Sequence, residues 1–130
     1  MATIFSKIIS GEIPAYKILE NDRYLAFLDV FPLAKGHALV IPKNETDYIF
    51  DIDDKGLGEM MVFAKKVSKA IKIAFPCAKI GVSVVGLEVP HAHIHLIPIN
   101  QVSDMNFSKP KLSFTKEEME SMAESIKSYL

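Results

Sequence analysis

The segment HAHIHLIP, His91 to Pro98, carries three of the chain's four histidines at alternate positions. A β-strand sends successive side chains to opposite faces. His91, His93 and His95 would then share one face, and Ala92, Ile94 and Leu96 the other. The apolar face suits a core. Three imidazoles in a dry interior would lack partners, so the histidine face is expected to line a cleft or meet solvent. Three readings fit this pattern. The residues can be a polar strand face with no further role. They can ligate a zinc ion, which accepts three imidazoles and a water. Or one neutral imidazole can attack phosphorus and hold the transferred group covalently. Its neighbours would then disfavour its protonation and donate hydrogen bonds to phosphate oxygens.

The 130-residue length fits a single domain, residues 1–130, able to bury a hydrophobic core. Apolar residues make up 49% and charged residues 24%, which places the chain among soluble globular proteins. A formal net charge of −1 gives no electrostatic case for nucleic acid or a membrane surface. No apolar run approaches the ~18 residues of a membrane span. The segment MATIFSKIISGEIP lacks the basic stretch and long apolar core of a signal peptide, so a cytoplasmic location is expected. Cys77, the single cysteine, cannot form an internal disulfide.

The elements that must position the histidines can be read from pattern. IFSKIIS is expected to be a short helix, stopped by Gly11 and Pro14. AYKILEN and RYLAFLDV are strand-like, joined by the turn residues Asn21 and Asp22. GHALVIP is a third strand. A long central helix follows, with Asp53 as N-cap and Pro76 beyond its end. Leu57, Met60, Met61, Ala64, Val67, Ile71 and Ala74 form its apolar stripe. Val62 and Ile73 point nearly opposite, either as stray exposed residues or as a second buried face. KIGVSVV and HAHIHLIPI supply two more strands. Thr115 and Glu118 form a capping box for a C-terminal helix over about 115–129, with Met119, Met122, Ile126 and Tyr129 on its packing stripe. Hairpin-length connections favour an antiparallel sheet. The expected class is α+β, a five-stranded antiparallel sheet with a long central helix and a C-terminal helix.

HAHIHLIP has the form H-φ-H-φ-H-φ-φ and resembles the signature of the histidine-triad (HIT) family of nucleotidyl hydrolases and transferases. The stretch from IFSKIISGEIP to GHALVIPK is similar to the N-terminal half of the family's Hint branch and its bacterial relatives. The likeness covers residues 3–43, the central helix in position and length, and residues 79–98. The tail from Gln101 onward adds little. The family also carries a histidine in its G-H-x-L-V-I-P segment, here His37, so all four histidines fall on family positions. The resemblance favours nucleophilic catalysis over a metal site.

By resemblance, His93 would attack the α-phosphorus, and water would hydrolyse the resulting nucleotidyl-histidine. Its Nδ1 proton would be held by the backbone carbonyl of His91, leaving Nε2 free. His95 would bond the phosphate, and His37 would support the polar network. Asp29 would accept both ribose hydroxyls. Phe5, Ile8, Phe27, Leu28 and Val30 would wall the base. No cofactor is expected, and a homodimer through the central helix is implied.

Two departures from the family pattern stand out. Many relatives bind a structural zinc through two cysteines, a later histidine and the first triad histidine. The first three positions read Thr3, Ser6 and Glu45 here, so no structural zinc is expected. Hint-type proteins place a serine or threonine against the phosphate three residues before the triad, and Glu88 stands there. A carboxylate facing phosphate would repel it unless protonated or turned toward an imidazole, so Glu88 is read either as pairing with a histidine beside the phosphate or as a solvent-facing loop residue. The leading expectation is a hydrolase of purine nucleoside monophosphate derivatives, with P–N linked substrates first and dinucleoside polyphosphates second. The rivals are a nucleotide-binding protein with little turnover and a histidine-ligated metallohydrolase.

Overall fold

The computed structural model describes residues 3–130. In chain order it contains α1 (Ile4–Ser10), β1 (Lys17–Glu20), β2 (Tyr24–Leu28), β3 (Ala38–Pro42), α2 (Asp54–Ala74), β4 (Lys79–Ser83), β5 (Ile94–Ile99) and α3 (Lys116–Lys127). Short 3-10 turns at Ile49–Asp51 and Val102–Met105 lie in the connections. The strands form one sheet in the order β1-β2-β3-β5-β4, antiparallel at every pairing. The class is α+β, as the connection lengths imply.

The sheet is covered on both faces. Tyr24, Ala26 and Leu28 of β2, Ala38 and Val40 of β3, and Ile94 and Leu96 of β5 pack against α2 and α3. Leu25, Phe27, Leu39 and Ile41 point the other way and pack with Phe5 and Ile8 of α1. Each large aliphatic side chain buried this way contributes about 1.5–3 kcal/mol. Thr3 caps α1, accepting from the Ser6 amide at 3.0 Å, and the Ser6 hydroxyl completes a capping box. Gly11 ends the helix with φ 86°, a left-handed conformation that glycine takes without a Cβ clash.

In α2 the buried residues are Gly56, Met60, Phe63, Ala64, Val67, Ala70 and Ile71. Met61, expected on this stripe, is 44% exposed, and Phe63 takes the place. Met61 lies about 100° around the helix from Met60, at the edge of the sheet-facing arc. Val62 and Ile73 are 69% and 55% exposed on the far side. Asp53 occupies the N-cap position but makes no side-chain capping bond. The Thr115–Glu118 capping box of α3 is present. Tyr129 lies beyond the helix end and is half exposed, so it does not join Met119, Met122 and Ile126 in the core.

Two strand boundaries differ from expectation. Val84 and Val85 fall outside β4. β5 begins at Ile94, so His91 and His93 precede the ladder. Pairing with β3 runs only from Ala38↔Leu96 to Val40↔Ile94. Upstream of that, the Ala92 amide donates to the carbonyl of Thr46 at 2.6 Å. The alternation of faces survives this change: Ala92 joins the helix-facing core with Ile94 and Leu96, and the imidazoles lie opposite. Among the described residues, no helix is long and apolar enough to cross a membrane.

Candidate active site

All four histidines are buried, which the sequence reading did not anticipate; His93 and His95 are the most exposed, at 7% and 8%. Backbone groups, other imidazoles and the Thr3 hydroxyl supply their partners. Among the described residues no buried side-chain polar atom is left without one.

The partners also fix where the protons sit. A carbonyl oxygen only accepts, and a backbone N–H only donates. Nε2 of His91 lies 2.8 Å from the Pro42 carbonyl and must donate. In the neutral ring Nδ1 then accepts, and the Thr3 hydroxyl faces it at 3.1 Å. The same hydroxyl caps α1, so the helix and the first triad histidine share one tether. The carbonyl of His91 accepts from Nδ1 of His93 at 2.7 Å. Neutral His93 therefore has an unprotonated Nε2. The Phe5 ring meets the edges of His91 and His93 at centroid distances of 5.7 and 5.0 Å, which holds both planes.

A second chain of bonds sets His95. The Leu33 amide donates to Nδ1 of His37 at 2.9 Å. His37 thus carries its proton on Nε2, 2.9 Å from Nδ1 of His95. His95 in turn keeps its proton on Nε2 and presents an N–H beside the His93 ring, 5.0 Å away by centroids. Burial, and then the neighbouring His95 and Lys111 charges, push His37 down to about 3. Burial, then His93 and Lys111, push His95 down to about 4. Both are neutral near pH 7, as the relay requires.

Asp29 follows β2 directly. Its Oδ1 accepts from the Phe31 amide at 2.9 Å, and its own amide donates to the His37 carbonyl at 3.0 Å. Burial raises its carboxyl above the usual range, opposed by that amide and by the His93 and Lys111 charges. Oδ2 lies 3.5 Å from Nε2 of His37.

Asp29, His37 and His95 bring three potential metal-ligand atoms within 4.8 Å of one another. Their hydrogen bonding does not suit an ion. Ligation through Nε2 of His37 would move its proton to Nδ1, which would then face the Leu33 N–H donor to donor. Thr3 and Ser6 offer hydroxyls bound into the helix cap, and Glu45 is exposed. That set lacks the thiolates a structural zinc prefers.

Of the expected base walls, Phe5, Ile8 and Phe27 lie on the imidazole side of the sheet, Phe5 against Phe27 at 5.7 Å. Val30 is exposed beside Asp29. Leu28 packs in the helix-facing core, on the opposite face, so its side chain is not brought to the site. Glu88 is exposed, and among the described residues no hydrogen bond or ion pair joins it to an imidazole. The pairing is absent because the Val84–Pro90 connection stays outside the ladder while the imidazoles find backbone partners. A surface cleft of about 940 Å³ lies elsewhere, between the β1–β2 turn and α2, lined by Arg23, Glu59 and Val62 among others. Size alone does not mark the chemistry.

Several groups at the site escaped the sequence reading. The Leu33 amide and the Pro42 carbonyl are backbone atoms and carry no residue signature. Phe107, from the tail, sets its ring against His95 at 4.8 Å. Lys111 lies near enough for its charge to act on Asp29, His37 and His95.

Residues 10–102 match the family model described as HIT domain. Adenosine 5'-monophosphoramidase HNT1 of Saccharomyces cerevisiae is 43% identical over 98 residues, covering 75% of this chain and 62% of that protein. Adenosine 5'-monophosphoramidase hnt1 of Schizosaccharomyces pombe is 35% identical over 130 residues, 98% of each chain. Among solved structures, a Hit-like protein involved in cell-cycle regulation from Bartonella henselae superposes with a TM-score of 0.84. It is 32% identical and covers 98% of this chain and 96% of its own.

Proposed function

Because this chain belongs to the histidine-triad (HIT) family, we propose that it is a nucleotide hydrolase acting at the α-phosphate of purine nucleoside monophosphate derivatives. P–N linked substrates such as adenosine phosphoramidate lead, in line with the two monophosphoramidases to which the chain is similar. The observation that carries the reading is the 2.7 Å bond from Nδ1 of His93 to the His91 carbonyl, which leaves Nε2 with a free electron pair.

The chemistry follows from that geometry. The Nε2 pair of His93 forms a bond to the α-phosphorus while the bond to the leaving amine breaks. The amine departs with the bonding electrons and takes up a proton. The N–H of His95 donates to a phosphate oxygen as charge builds there; a positioned donor of this kind is worth roughly 3–4 kcal/mol in the transition state. Water then attacks the nucleotidyl-histidine, releasing the nucleoside monophosphate and restoring His93. Asp29 accepts the ribose hydroxyls, and Phe5, Ile8 and Phe27 take the base. The exposed Val62 and Ile73 fit a homodimer through α2.

The test is incubation with adenosine phosphoramidate beside His93→Ala. The parent should release AMP, the variant should not, and quenched turnover should show an adenylyl group on His93. Binding of AMP without turnover by the parent would favour a nucleotide-binding protein instead.

A further inference from the structure

The stretch from Met105 to Leu112, which leads from the Val102–Met105 turn toward α3, is fixed at three points. Met105 lies over Gly81, where even an added Cβ would come within 2.6 Å of its sulfur. Phe107 sets its ring against the edge of His95. The Leu112 amide donates to the Pro32 carbonyl at 2.8 Å. Pro32 stands between Asp29 and Leu33, the residues of the carboxylate and of the amide that orients His37. The segment therefore runs from β4 to the Asp29 loop and meets the histidine cluster at His95. Local bonds keep it in shape: Asn106 Oδ1 accepts from the Ser108 amide at 2.9 Å, and the Lys109 amide donates to the Asn106 carbonyl at 3.2 Å.

Lys111 sits inside this span. Its Nζ donates to the Phe107 carbonyl, approaches the Lys109 carbonyl at 3.4 Å, and lies 6.0 Å from the centroid of the Phe107 ring. Among the described residues it has no carboxylate partner within ion-pair distance, although its charge is felt at Asp29, His37 and His95. The four imidazoles supply no fixed positive charge when neutral. A dianionic phosphate beside them would be met by N–H dipoles alone. A lysine on a four-carbon stem, held at the border by neutral carbonyls, can swing to an anion at small cost.

Resting on the nucleotide reading above, we propose that Lys111 is the cation that pairs with the nucleotide's phosphate, and that the segment from Asn106 to Leu112 forms a wall of the binding site.

Titration calorimetry at low ionic strength with AMP and with adenosine tests this, using the parent, Lys111→Met, Lys111→Arg and Lys127→Met. Lys111→Met should weaken AMP by about five- to tenfold, a range set by the solvent screening of an exposed lysine. Adenosine affinity should not move. Lys111→Arg should keep most of the AMP affinity, and Lys127→Met, on α3 outside the segment, should match the parent. Unchanged urea midpoints would show that the variants fold. Parental AMP affinity in Lys111→Met, or an equal loss for AMP and adenosine, overturns the proposal. So does a loss in Lys111→Arg as large as in Lys111→Met. If the parent binds neither ligand, the nucleotide reading itself fails and this inference falls with it.

Discussion

Nε2 of His37 lies 2.9 Å from Nδ1 of His95, and the direction of that bond is set from outside the pair. The Leu33 N–H occupies the far side of His37, so the shared proton belongs to His37 and His95 is left as a donor on its open side. Replacing His37 by Phe keeps a ring but removes the donor, and His95 can then adopt either tautomer. The expected result is a fall in kcat of roughly tenfold or more, with a smaller change in KM. Steady-state kinetics on adenosine phosphoramidate checks it; unaltered kcat would mean that the relay does not matter.

Asp29 presents one oxygen to Phe31 and keeps the other toward His37. Asp29→Ala should cost about tenfold in affinity for a ribonucleotide, since a charged acceptor is lost. It should cost much less for the dideoxy nucleotide. Competition binding with the two ligands reads this directly, and equal losses would count against a ribose contact.

Thr3 joins the cap of α1 to the ring of His91. Thr3→Val preserves shape and deletes both bonds, so unfolding free energy should drop by about 1–2 kcal/mol. Thr3→Ser should restore most of it. Urea titration with amide exchange at Ser6 is the measurement, and a Val variant as stable as the parent would contradict the shared tether.

Acid should weaken the fold in a defined window. His37 and His95 titrate at about 3 and about 4 when folded, against an ordinary value of 6.5. Between these limits the unfolded chain binds more protons, so stability is greatest above pH 6.5 and falls as pH drops. Each histidine adds a slope of up to about 1.4 kcal/mol per pH unit. Asp29, raised by burial, acts oppositely just above its ordinary value of 3.8 and offsets part of the loss there. Denaturant midpoints from pH 7 to pH 4 should decline, and His37→Phe should flatten the curve. A flat parent profile would refute it.

The exposed face of α2 tests the dimer. Val62→Asp with Ile73→Asp introduces two charges on the side away from the sheet and disturbs no core contact. The parent should sediment as a dimer and the double variant as a monomer. A monomeric parent, or a variant that still pairs, would move the interface elsewhere.

What could be read from sequence tracks how local the signal is. The histidine alternation was legible because Ala92, Ile94 and Leu96 fill one core, and the faces persist even where the ladder stops at Ile94. The Thr115–Glu118 capping box was legible, since the two residues satisfy each other within one turn, whereas the Thr3–Ser6 box, with serine in place of the usual glutamate or glutamine, was not read. Leu28 was misplaced because the base walls were carried over from the family as a group, while strand parity sends it to the helix side. Met61 and Tyr129 are apolar at helical spacing but lie at or past the edge of the packed arc, and periodicity has no sharp cutoff there. Phe107 and Lys111 could not be foreseen. Their part in the site depends on a path through Met105, His95 and Pro32 that no spacing announces.

The sheet's two covered faces bear on how its strands find their alignment. In most antiparallel sheets a slip of one residue is forbidden because it would push oil into water. β2 and β3 are apolar on both sides, so polarity gives them no such protection. Volume does the work instead: Ala26 and Ala38 lie under α2, while Leu25, Phe27, Leu39 and Ile41 fill the side of α1. Sliding by one place would drive Leu25, Phe27 and Leu39 onto the helix side, where Ala26 and Ala38 now sit between Tyr24, Leu28 and Val40, so the fit of each side chain to its place acts as the ruler for this sheet.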